Sequence, residues 1–304
     1  MARFLPALLV VALLGGSAAA FAVTERLKLE RSPILDTHVD KEVSPAAGAA
    51  ARISFRLRKG DSVSLALVNA NGDVVRQVAT SRHRRKGTAT FTWDGRDDFG
   101  APAGDGVYKP RVHLAAAHRT ILLPNPIVVD TKKPRISLRG QSLRVFSPDG
   151  DYRLDYLTMR FRASEPVRAV LYANGHLVVK AKRFQSGGSL KWNGRADGLP
   201  RPAGRYRLEL RGIDRAGNTG PASRPFHVRL RYIELGRHVL RTHTGGRIVV
   251  FVSTDAHRYT WRIGPRHGRS RKRRLSLAAG EPGRYVLVVS ARGHRDQARI
   301  EVEP

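Results

Sequence analysis

The chain has 304 residues, no cysteine, 55 Lys and Arg against 25 Asp and Glu, and a formal net charge of +30. Without cysteine there are no disulfides, no thiolate metal sites and no cysteine nucleophile, so stability must come from hydrophobic cores. The positive residues run along the whole length of a chain rich in Arg, Ala, Gly and Val, a pattern of compositional bias and solvated surface that argues against a dedicated nucleic-acid site.

The N-terminus, MARFLPALLVVALLGGSAAAFA, has an early charge at Arg3, an apolar run over 4–14 and small residues ending in Ala20-Phe21-Ala22. This fits a cleaved signal peptide with an A-x-A site over 1–23. Left uncut, residues 4–23 form one hydrophobic helix just long enough to anchor the chain in a membrane. Both alternatives place residues 24–304 outside the cytoplasm, secreted or membrane-anchored, away from intracellular nucleic acid.

After a polar lead-in at 24–42 the chain repeats itself at an offset of about 100 residues. Val43-Ser44-Pro45 returns as Phe146-Ser147-Pro148, Asn71-Gly72 as Asn174-Gly175, and FTWDGR (91–96) as LKWNGR (190–195). Pro102-Ala103-Gly104 and Tyr108 likewise return as Pro202-Ala203-Gly204 and Tyr206. Within each copy apolar and polar residues alternate, as in ARISFRL, LTMRFRAS and RYRLELRGID, which predicts strands with one buried face. The Asn-Gly between LALV and DVVRQV predicts a two-residue hairpin turn. From about residue 229 a third region begins, where PGRYVLVV echoes AGRYRLEL. The expected fold is all-β: tandem Ig-like β-sandwich domains over 24–134 and 135–228, a shorter one over 229–304, and the N-terminal hydrophobic helix before them.

W-D/N-G-R, followed after a Gly/Pro-rich turn by G-x-Y and an alternating strand, resembles the Ig-like domain of the flagellar hook-capping protein, the FlgD type, over roughly residues 40–228. GIDRAGN (212–218) is similar to a D-x-x-G-N turn near the close of bacterial Ig-like domains. The resemblance implies a β-sandwich and export; it does not imply flagellar assembly, because a fold leaves function open.

The acids of FTWDGRDDFGAPAGDGVY (91–108) invite a metal, and Asp94, Asp97 and Asp98 could serve one. The second copy keeps Trp192, Gly194 and Tyr206 but has Asn193 in place of Asp94, which favours a structural reading. Trp93, Gly95, Tyr108, Trp192, Gly194 and Tyr206 are therefore core and turn residues. SPDGDYRLD offers Asp149, Asp151 and Asp155 as a calcium candidate that lacks the full EF-hand spacing, against a polar turn as the alternative. His238 and His243 lie on neither one helix face nor one strand face, and no common catalytic motif occurs, so no catalytic residue, cofactor or metal is assigned.

RHGRSRKRR (266–274) is the densest charge cluster. As a loop it would set Arg266, Arg269, Arg271, Lys272, Arg273 and Arg274 against an anionic envelope polymer or lipid headgroups, or simply be solvated. The sequence therefore predicts a non-catalytic spacer or adhesion module of the cell envelope. A binding module acting through the basic loop is the alternative, and an accessory array of an exported enzyme system the third. The partner is an envelope or surface component.

Overall fold

The computed structural model describes residues 31–304, so the N-terminal hydrophobic segment lies outside the described residues. Every regular element among the described residues is a β-strand. None contains a helix long and apolar enough to cross a membrane. The described residues divide into two compact units, 31–131 and 132–304. The first holds one hydrophobic core and the second holds two.

In the first unit a three-stranded antiparallel sheet (Ile34–Val39, Ala51–Leu57, Gly87–Trp93) faces a six-stranded sheet built on Asp61–Val68 and Gly106–Leu114. The alternation in ARISFRL explains the layering. Ala51, Ile53, Phe55 and Leu57 are buried while Arg52 and Arg56 are exposed, as a period of two requires when one face meets a core. Opposite them lie Val63, Leu65, Val112 and Leu114, each large aliphatic burial stabilising by about 1.5–3 kcal/mol. The Asn-Gly hairpin differs from expectation. Only Gly72 has a left-handed backbone (φ 90°), and Asn69 closes a wider loop by accepting from the amides of Asn71 (3.0 Å) and Asp73 (2.9 Å) through Oδ1. The short amide side chain at 69 captures backbone donors that a two-residue turn would have used in the ladder.

The second unit begins with a sandwich whose longest strand, Leu157–Ala173, serves both layers. Its first half pairs with Ile136–Gln141 and Gln185–Trp192, its second half with Gly204–Ile213 and His176–Lys180. Here Asn174 and Gly175 both have positive φ (47° and 81°), the two-residue turn that Asn-Gly favours. The third core, from Ile233 to Val302, lies between a three-stranded sheet and a five-stranded sheet. In the latter, Val239–His243 runs parallel to His294–Glu303.

Candidate functional site

Both copies of the W-x-G-R segment are built alike. Trp93 is 1% exposed, donates Nε1 to the Arg96 carbonyl (2.7 Å) and meets the Tyr108 ring edge-on at 5.2 Å. Trp192 is 0% exposed, donates to the Arg195 carbonyl (2.8 Å) and meets Tyr206 edge-on at 5.5 Å. The tyrosine hydroxyls donate to the Gly104 and Pro202 carbonyls at 2.8 and 2.7 Å. Burial together with the Asp105 charge raises the Tyr108 pKa.

Each of the four acids of 91–108 accepts from at least one backbone amide. Asp94 accepts from the Arg96 amide, Asp97 from those of Phe99 and Ala101, Asp98 from that of Gln77, and Asp105 from the Thr131 amide and hydroxyl. They shape turns.

The acids after Ser147-Pro148 behave differently. Asp155 turns back into its own loop, its two oxygens accepting from the Gly150 amide (2.9 Å) and the Tyr152 amide (2.7 Å). That loop is tight: Gly150, Tyr152 and Leu154 all have positive φ (83°, 67° and 52°). The trio read from the sequence is thereby regrouped. Asp149 and Asp151 converge with Asp255, which follows the Arg247–Thr254 strand of the third sandwich, and one oxygen from each lies within 4.8 Å of the others. Asp155 instead holds the loop that aims them.

Oδ2 of Asp149, both carboxylate oxygens of Asp255 and the hydroxyl of Ser147 are buried and lack a hydrogen-bond partner. Burial, followed by the charges of Asp255 and Asp151, raises the Asp149 carboxyl to about 6. Burial also raises Asp255; the Ser147 hydroxyl, a backbone contact and the more distant Arg231 guanidinium offset part of this. The Ser147 hydroxyl faces Asp255 and lowers its pKa as a hydroxyl contact would, although its Oγ does not meet hydrogen-bond geometry with either oxygen.

Beside the cluster lies an open cleft of about 320 Å³ lined by Asp149, Asp155, Tyr156, Arg195, Tyr232 and His294. The His294 ring stacks on Tyr232 at 3.5 Å. Its burial lowers its pKa, favouring neutral imidazole.

The basic cluster is not a loop. Arg266–Ser270 is an edge strand antiparallel to Tyr259–Ile263, residues 271–273 turn the chain, and Arg274 opens the Arg274–Ala278 strand of the other sheet. Gly268 permits the pairing, since a Cβ there would meet the Trp261 ring at 2.8 Å. All six cations are exposed. Arg266 donates Nη1 to the Ala278 carbonyl (2.9 Å), tying one sheet edge to the other.

The broader basic surface is the outward face of the five-stranded sheet. Strand register places Arg269, Arg262, Arg295, Arg299, Arg284 and Arg241 on that face. Glu301 accepts from Arg241 Nε at 2.8 Å, and this contact lowers the Glu301 pKa. The signal in the sequence was polar and charged residues at every second position, as at Arg295, Gln297, Arg299 and Glu301 in RDQARIEVE, which is weaker to the eye than a contiguous run.

The W-D-G-R turn, the G-x-Y strand and their shared ring contact agree with a family match. The FlgD Ig-like domain family matches residues 41–117. Over this segment the chain is similar to an FlgD Ig-like domain. No curated protein matches the sequence. Among solved structures the chain is similar to FlgD from P. aeruginosa, at 20% identity over 37% of this chain and 84% of that chain, with a TM-score of 0.25. It is similar to part of a 1.5-MDa bacterial ice-binding adhesin at 14% identity, covering 90% of this chain and 99% of that chain, with a TM-score of 0.28. The four N-terminal Ig domains of Dscam1 isoform 6.44 give 13% identity, 89% and 77% coverage and a TM-score of 0.30.

Proposed function

We infer that the protein is a non-catalytic, extracytoplasmic spacer or adhesion module of a cell envelope, built as an FlgD-type Ig-like array. The observation that carries this reading is the structural use of the repeated motif. Its aromatic rings fill cores, its indole and phenol hydrogens bond backbone carbonyls, and the acids of its first copy bond backbone amides or Thr131. Residues repeated for shape rather than reaction suit a rigid module that displays a surface.

Location tests the reading most directly. In intact cells producing the full chain, added protease should cleave the protein while a cytoplasmic marker survives. Full protection until the cells are lysed would sink it.

A second reading rests on the six-arginine face of the third sandwich: a module that grips anionic envelope polymer or headgroups. Replacing Arg262, Arg269 and Arg299 with Ser should release the protein from anionic vesicles at lower salt than the wild type, because fewer screened contacts remain. An unchanged salt profile would remove this reading and leave the first one standing.

A further inference from the structure

We propose that Asp149, Asp151 and Asp255, with the Ser147 hydroxyl, form a Ca²⁺ site that fastens the second sandwich to the third. Convergence of the three carboxylates within 4.8 Å is the first observation. Acids so close repel one another, and such a cluster alone would be an unexplained cost.

The second observation is Ser147. Its side chain is 0% exposed, its Oγ has no hydrogen-bond partner, and it acts on Asp255. A buried hydroxyl without a partner is destabilising, so it calls for a ligand in the space it shares with Asp255. The first sandwich provides an internal control. There the aligned Ser44 accepts from the Ala46 amide at 3.3 Å, and the loop that follows is PAAGAA, without an acid. Where the carboxylates are absent, the serine caps its turn; where they are present, it is left open.

The donors specify the ion class. All are oxygens: each of the three carboxylates brings one oxygen to the cluster, and the serine hydroxyl, a second Asp255 oxygen and water can complete the six to eight hard ligands that Ca²⁺ takes. No sulfur or imidazole is in the set, which disfavours Zn²⁺. Asp155 completes the arrangement by holding the Gly150 and Tyr152 amides, so the loop presents Asp149 and Asp151 toward the third sandwich.

The test uses the full chain, stripped with EGTA and titrated with CaCl2 by calorimetry and thermal melting. One saturable site is expected, with Tm raised by about 5–10 °C at roughly a hundredfold excess over Kd. Asp255→Asn should lose that rise, yet melt above the wild type in EGTA because a buried charge has been removed. Ser147→Ala, a smaller change, should keep the fold and weaken Ca²⁺ binding severalfold. The proposal is overturned if Ca²⁺ leaves the wild-type melting unchanged into the millimolar range, or if NaCl at equal ionic strength reproduces the rise. It is also overturned if Asp255→Asn and Ser147→Ala both retain the full Ca²⁺ response.

Discussion

The first and second sandwiches share a frame and differ in what they hang on it. Each has a buried indole against a tyrosine edge, a glycine after the turn and a proline laid on that glycine. After the proline they part: Ala46 and Ala47 in one copy, Asp149 and Asp151 in the other. Their aligned serines are equally buried, yet only the Ser44 hydroxyl has a hydrogen-bond partner. The frame is fixed by packing, which tolerates little change. The loop beyond it is not, and it is where one copy acquires chemistry that the other lacks.

Removing the indole is the largest blow to the shared frame. Trp93→Ala and Trp192→Ala should each cost about 3–5 kcal/mol in urea unfolding followed by circular dichroism. Each loss should fall on the unit that contains the residue. A cost under about 1 kcal/mol in either copy would show that the ring is not the anchor described.

The glycines separate the copies. Both need a left-handed backbone, with φ of 78° at Gly95 and 69° at Gly194. A Cβ at Gly95 would lie 3.1 Å from Pro45 Cδ, whereas at Gly194 it would lie 2.5 Å from Pro148 Cγ and 2.9 Å from Leu230 Cδ1. Gly95→Ala should therefore cost about 1–2 kcal/mol from backbone strain, and Gly194→Ala a further 1–3 kcal/mol or so from overpacking. Equal costs would break the asymmetry.

What could be read from the sequence was local and repeated. Trp93 and Trp192 were legible because strand phase and an internal copy point to the same face. Asn71-Gly72 misled because the deciding residue, Asn69, lies outside the dipeptide. RHGRSRKRR hid a strand because it has no apolar residue to show alternation. Its inward position at 268 is a glycine, and the space there is filled by Trp261 from the neighbouring strand. Asp255 could not be paired with Asp149 from sequence at all. Nothing local links them, and only the packing of the second and third sandwiches brings their oxygens together.

The smallest expected effect is the pH response of that cluster, and its sign separates bare from cation-bound protein. Asp149 is raised to about 6 by burial and by its acidic neighbours, so in chelator the folded chain holds this proton more tightly than the unfolded chain does. Its contribution to stability is then greatest in acid and is lost as pH rises from about 4 through about 6. Asp149→Asn cannot titrate there. In EGTA the variant should gain on the wild type in Tm as pH climbs through that window, while parallel pH profiles would refute the assignment. With Ca²⁺ bound the order reverses, because the ion favours the carboxylate and protons compete with it. The wild type should then lose its Ca²⁺-dependent stability as pH falls through the same range, a response the first sandwich, with alanines in place of the acids, has no means to make.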